Sequence, residues 1–290
     1  MTSSGEYVLN KAKLPDFLRA LSKEWTVFTP HDENGDIGFA PMTGNGDILT
    51  DYYNATVSPK HILFPQTETL LRIIARDKKV SLAEQEKTGK KAIFGIRPCE
   101  AKALTMIEKV FLDEPKDPYF ADRREKTLLI GLACKDPHRN CFCTSLGLGP
   151  ASSAGLDVLL TEIDDKFYVD VINEKGAKAI EGLKGHLASA TDADRTARDG
   201  AHKASNELIS EIVNASSVPA ALKGKFEDDI WNEIAQKCIG CGACTYLCPT
   251  CHCFDITDID YGKGIKRVRT WDSCQYSNFT VHSSGHNPRP

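Results

Sequence analysis

The chain has 290 residues, 41% hydrophobic and 26% charged, with a formal net charge of -4. That length supports a core of ordinary size and suits two domains, while the near-balanced charge excludes a global nucleic-acid binder, and no apolar run approaches the roughly 20 residues that span a bilayer. Eleven cysteines lie behind an N-terminus, Met1-Thr2-Ser3-Ser4-Gly5-Glu6-Tyr7, without the basic and apolar regions of an export signal; the expectation is a reducing, cytoplasmic setting where thiolates bind metal rather than pair.

Leu14, Phe17, Leu18 and Leu21 fall at helical spacing and predict a first amphipathic helix, with Pro15 tolerated in its opening turn. A second helix is expected over Thr67 to Arg76. Ala92 to Ile96 reads as a buried strand that runs through Arg97-Pro98-Cys99-Glu100 into a helix carried by Ala103, Leu104, Ile107 and Phe111. Another apolar strand, Thr127 to Ala133, runs into Cys134, so a helix joins two strands and parallel neighbours in one sheet are the economical arrangement. Asp157 to Ile163 and Lys166 to Ile172 predict a hairpin, and Glu174 to about Ile212 a polar helical stretch. The loop Ser216 to Pro219 marks the expected boundary between an α/β domain, 1–217, and a cysteine-rich domain, 218–290, entered by a helix through Phe226, Ile230 and Ile234.

Six cysteines crowd into the sixteen residues from Cys238 to Cys253. Cys238, Cys241, Cys244 and Cys248, followed by Pro249, make the C-x2-C-x2-C-x3-C-P run of ferredoxin-type [4Fe-4S] sites, whereas zinc motifs come as two separated C-x2-C pairs. Gly240 and Gly242 clear side chains from the wrapping turn. In two-cluster ferredoxins the fourth cysteine of such a run ligates the other cluster, so either Cys248 or a more distant cysteine, in this chain or a partner, closes the first one. Cys251, Cys253 and Cys274 are surplus: they hold a further cluster or form a buried shell around the first. His252, between two of them, is expected to turn away and hydrogen-bond.

A second constellation is Cys99, Cys134, Cys141 and Cys143. Parallel strands bring Cys99 and Cys134 to one carboxyl edge of the sheet, where α/β folds place ligand sites, and the loop to Cys143 can fold back over them. Arg97 and the helix start at Cys99 both favour thiolate charge; the competing reading is isolated buried thiols. The basic stretch Tyr261 to Arg269, with Lys263, Lys266, Arg267 and Arg269, reads first as solvated surface and second as a redox-partner docking face or a positive field that stabilises a reduced cluster. No Gly-x-Gly-x-x-Gly follows a strand and no P-loop is present, so nucleotide or flavin chemistry is expected of a partner.

Gly95-Ile96-Arg97-Pro98-Cys99-Glu100-Ala101, Asn140-Cys141-Phe142-Cys143-Thr144-Ser145, the Cys238 to Asp255 run, and Arg269-Thr270-Trp271-Asp272-Ser273-Cys274 with Gly285-His286-Asn287 together resemble the beta subunit of sulfhydrogenases. The pattern is also similar to the iron-sulfur subunit of anaerobic sulfite reductases and to iron-sulfur partners of flavin oxidoreductases that feed heterodisulfide-reductase-like complexes. The resemblance implies a non-catalytic electron conduit with [4Fe-4S] clusters, built as an α/β N-terminal domain followed by an α-helical ferredoxin-like iron-sulfur domain. It implies a flavin and NAD(P)-type partner on one side and a terminal hydrogenase or reductase on the other. Members of that family usually continue past the Gly-His-Asn segment into a second cysteine triad where this chain stops at Pro290, so the expectation is either a fragment or a shortened variant. The alternative function is a catalytic subunit whose cluster, built on Cys251, Cys253 and Cys274, binds a disulfide or sulfur species.

Overall fold

The computed structural model describes residues 5–44, 48–76, 79–84, 88–209, 213–262 and 264–288. In chain order come β1 (Glu6–Asn10), α1 (Leu14–Leu21), β2 (Thr26–Glu33), β3 (Asp36–Pro41), α2 (Lys60–Leu63), β4 (Thr67–Arg76) and β5 (Lys79–Glu84). Then follow β6 (Lys91–Ile96), α3 (Pro98–Leu112), α4 (Pro118–Glu125), β7 (Thr127–Leu132), β8 (Val158–Ile163), β9 (Lys166–Val171), α5 (Glu174–Glu181), β10 (Ala188–Ser189) and α6 (Asp192–Glu207). The last elements are α7 (Val218–Leu222), α8 (Ile230–Ala235), α9 (Ala243–Leu247), β11 (Phe254–Asp260) and β12 (Ile265–Trp271).

The larger sheet has eight strands in the order β10-β1-β9-β8-β7-β6-β2-β3. Its centre, β2, β6, β7 and β8, is parallel, and its flanks are antiparallel. The expected parallel pair is β6 and β7, and the expected hairpin is β8 and β9. Alternation along the central strands feeds two cores, as a sheet covered on both faces requires. Phe94, Leu128, Ile130, Val158 and Leu160 pack with Phe17 and Leu18 of α1 and Ile180 of α5. Ile93, Leu129 and Leu159 pack with Ala101, Leu104 and Ile107 of α3.

Gly95 breaks this alternation. Its φ of 85° is a left-handed conformation that glycine adopts without strain, and the β6–β7 register shifts between Phe94 and Ile96. Ile96 therefore joins the core of Ile93 rather than that of Phe94. A Cβ at Gly95 would lie 2.9 Å from Cγ of Pro30.

Three expectations about secondary structure are corrected. Thr67–Arg76 is the strand β4, not a helix. Its Thr and Ile residues suit a strand, and two antiparallel neighbours, β5 and β12, capture it. The stretch from Glu174 is two helices separated by a 3-10 turn at Lys184–His186 and by β10; Ile212 lies outside the described residues. The C-terminal region is helical only in pieces of five or six residues, too short to be stable without tertiary packing. Its most regular part is the β11–β12 hairpin of two seven-residue strands.

That hairpin completes a second antiparallel sheet, β11-β12-β4-β5, so strands from both sides of residue 217 share one ladder. Phe254 and Trp271 carry the contact onto the body, with ring centroids 6.3 and 5.7 Å from Phe64. Phe64 packs in turn on Phe111, which stacks on Phe120.

Arg269 is the charged centre of this junction and is 2% exposed, which corrects the solvated reading for this residue, whereas Arg267 in the same stretch is exposed. Its Nε and Nη2 donate to Glu68 Oε1 at 2.8 and 2.5 Å, and Nη1 donates to Asp117 Oδ2 at 2.5 Å. Arg123 Nη1 lies 2.8 Å from Glu68 Oε2 as an ion contact without hydrogen-bond alignment. Two guanidiniums thus meet two carboxylates. In the rest of the basic stretch, Arg267 pairs with Asp258 across the hairpin and Lys266 lies over the Tyr261 ring; Lys263 lies outside the described residues. No helix among the described residues is long and apolar enough to cross a membrane.

Candidate metal centres

The N-terminal group forms at the carboxyl edge of β6 and β7. Arg97 caps α3 with extended backbone and its buried guanidinium ties this edge together. Nε donates to Tyr53 O at 3.0 Å, Nη1 donates to Leu132 O and Ala133 O at 3.3 and 3.1 Å, and Nη2 donates to Tyr52 O. Cys99 follows in the first turn of α3, with Sγ 3.8 Å from Asn54 Oδ1. Cys134 leaves β7 with its N–H donating to Pro150 O at 2.9 Å, and Cys141 donates from its N–H to His138 O at 2.8 Å. Cys143 opens a 3-10 turn, Cys143–Leu146.

These thiols act on one another. Cys99 keeps an exposed flank, yet burial of the remainder pushes its thiol up to about 12, with Glu100, Cys134 and Cys143 adding repulsion. Burial pushes Cys134 up to about 11, against the pull of Arg97 and with a further push from Cys141 and Cys143. Cys143 is raised by burial and by Cys141. These three raised thiols stay protonated alone, whereas metal coordination deprotonates thiols outright and releases protons.

The C-terminal cysteines fall into three sets. Cys238, Cys241 and Cys244 are exposed, the first two on the loop leading into α9 and the third in its first turn. The Gly240 N–H points at Cys238 Sγ, 3.4 Å away, an N–H···S arrangement that suits a sulfur carrying negative charge. Gly242, at φ 72°, is the left-handed cap of α9, and Tyr276 packs against it while its hydroxyl donates to Cys241 O at 3.3 Å. A Cβ there would lie 2.3 Å from Oη of Tyr276. Gly242→Ala is therefore expected to lose iron during anaerobic gel filtration, whereas Gly240→Ala, strained at its φ of 68° but with open space for the methyl, retains more of it; iron per chain checks both.

Cys248 and Cys251 form a hydrogen-bonded pair. Burial raises both thiols, but the Thr250 hydroxyl, 3.1 Å from Cys248 Sγ, and Cys251 outweigh it and bring Cys248 below the usual thiol range. Cys251 takes the opposite shift, up to about 11, from burial and the neighbouring Cys248 charge. Cys253 and Cys274 form the third set, joined by a side-chain hydrogen bond and by Asp272 N donating to Cys253 O at 3.0 Å. His252 turns away, its Nδ1 2.9 Å from Thr250 O.

All eleven cysteines are free thiols, and among the described residues no three His, Cys, Asp or Glu side chains converge at metal-ligand distance. The thiols are grouped without closing on a common point. The donor chemistry still fits iron-sulfur groups: only sulfur is abundant, the glycines open the wrapping turn, and an N–H faces a sulfur.

Sequence reasoning missed Lys60, which lies among these C-terminal cysteines. The ordinary segment Ser58-Pro59-Lys60 gave no signal for it.

These arrangements define the class of protein. Residues 237–290 match the family described as 4Fe-4S dicluster domain, so [4Fe-4S] clusters are the cofactor, two of them implied by that description, and the chain is an iron-sulfur electron-transfer protein. Over 285 residues it is 28% identical to sulfhydrogenase 2 subunit beta of Pyrococcus furiosus, a match covering 97% of this chain and 83% of that protein. The resemblance carried by the sequence motifs is thereby borne out over nearly the whole chain.

Proposed function

We propose that the chain relays electrons inside a multisubunit, cytoplasmic oxidoreductase, from or to a flavin and NAD(P)-type partner on one side and a terminal hydrogenase, heterodisulfide-reductase-like or sulfite-reductase partner on the other. In this reading the body, 1–217, holds one cluster on Cys99, Cys134, Cys141 and Cys143. The region 218–290 holds its clusters on Cys238, Cys241, Cys244 and Cys248, with Cys251, Cys253 and Cys274 as further ligands or shell. The observation that carries it is the presence of two cysteine groups, one at the carboxyl edge of β6 and β7 and one in the C-terminal region whose β11–β12 hairpin is seated on the body by an aromatic and ionic junction. A bound [4Fe-4S] cluster supplies a one-electron couple whose potential is set by charge, hydrogen bonds and exposure.

The residues around the groups suit transfer rather than substrate chemistry. Arg97 commits four of its five N–H donors to carbonyls and lies over an aromatic face, 4.1 Å from the Tyr52 ring centroid, so it rigidifies the edge. Burial raises Glu100, beside Cys99, to about 7 against its hydrogen bond from Ser58.

The test is EPR of the dithionite-reduced chain before and after addition of sulfite, polysulfide or a small disulfide. A conduit with every iron held by thiolate keeps its signals unchanged in shape. A signal that shifts on addition exposes an open iron position and supports the catalytic alternative.

A further inference from the structure

Lys60 is 1% exposed. Its Nζ donates to Cys248 O at 2.7 Å, to Cys251 O at 3.1 Å and to Thr245 O at 3.4 Å. These are carbonyls from the end of α9 and the loop that follows. Three acceptors match the three donors of an ammonium, one more than a neutral amine carries. The Trp271 ring covers it with its centroid 4.3 Å away, and an aromatic face attracts a desolvated cation. The charged and titratable groups that act on it are Cys251, Cys248, Glu100 and Cys253. Glu100 is held in turn by the Ser58 hydroxyl at 2.7 Å. A cation from the body therefore sits inside the C-terminal cysteine loop, just before its polypeptide enters β11 of the second sheet.

Resting on the assignment of Cys248 and Cys251 to an iron-sulfur site, we propose that Lys60 is the positioning residue of that site: it fixes the Cys248–Cys251 loop through three carbonyls and raises the site's reduction potential with a buried positive charge. Reduction adds one electron and makes the site more negative, and a fixed cation in a low-dielectric surrounding favours the more negative state. No bond is made or broken in that step. The electron comes from the reduced partner protein, or in the experiment from dithionite.

The experiment uses the full chain purified anaerobically, as wild type, Cys248→Ser, Lys60→Met, Lys60→Gln and Lys60→Arg. Iron and labile sulfide are counted, and the signal that Cys248→Ser abolishes is followed by mediated redox titration. In both neutral variants reduction of that site is expected to become at least tenfold less favourable, about 59 mV lower for a one-electron couple, with iron retained. Lys60→Arg is expected to restore most of the shift. A midpoint unchanged in Lys60→Met on intact iron overturns the proposal while leaving the site assignment standing. Loss of iron in both neutral variants overturns the potential-setting role and reduces Lys60 to a structural tie. If Cys248→Ser changes neither iron nor any signal, the ligand assignment itself fails, and Lys60's role fails with it.

Discussion

Replacing Cys99 and Cys141 together by Ser is expected to remove about four irons, one cubane's worth, from the anaerobically purified chain, with one reduced-state EPR signal lost and the others kept. The expectation rests on the mutual electrostatic influence of Cys99, Cys134, Cys141 and Cys143: two remaining thiols cannot hold a cubane. Thermal unfolding of the variant's helices should change little once the cluster's own contribution is discounted, because β6, α3 and β7 are built on Ile93, Leu104, Leu129 and their neighbours rather than on the cysteines. An iron count unchanged by the double substitution would confine the metal to residues 218–290 and make the body a docking scaffold.

The second large effect is expected at Arg269. Arg269→Met leaves the buried Glu68 with a single misaligned guanidinium and deprives Asp117 of its 2.5 Å partner. Removing one member of a buried ionic network costs about 3–5 kcal/mol, because the surviving charges stay desolvated. The loss should be local first. Arg269 also lies over Phe64, Phe111 and Phe254, 5.2 to 5.4 Å from their centroids, so the β11–β12 hairpin loses its ionic tie and part of its aromatic seat at once. Limited proteolysis between 254 and 271 and the urea midpoint measure the two parts. Uniform protection of the hairpin at an unchanged midpoint would show that the aromatic contacts hold it alone.

Much of the α/β body was legible because its signals are local. Leu14, Phe17, Leu18 and Leu21 make a helical stripe within eight residues, and α1 is found there. The strand-turn-helix run from Ala92 to Phe111 and the strand from Thr127 carry their periodicity in short windows, and handedness and economy made β6 and β7 parallel neighbours. Gly95 was not legible as a bulge, since its left-handed backbone matters only where Pro30 approaches from β2.

Thr67–Arg76 failed for the opposite reason. Leu70, Leu71, Ile73 and Ile74 satisfy a helical stripe on paper, and nothing nearby says otherwise. Its pairing with β12 spans about 200 residues of sequence, as the Glu68–Arg269 contact does at a separation of 201, and long-range pairing overrides local pattern in sheets.

The chemistry could be read from the order of residues without any fold: the spacing of Cys238, Cys241, Cys244 and Cys248 names iron-sulfur, because short thiol spacings on a glycine turn are a local property of the chain. How these cysteines sit against the body emerged only once the chain was folded. Arg269 looked like one of four surface charges and is a buried clamp; Lys60 looked like nothing and reaches carbonyls 185, 188 and 191 residues away. A buried charge is defined by what surrounds it in space, and those surroundings come from segments that meet only when the chain is folded.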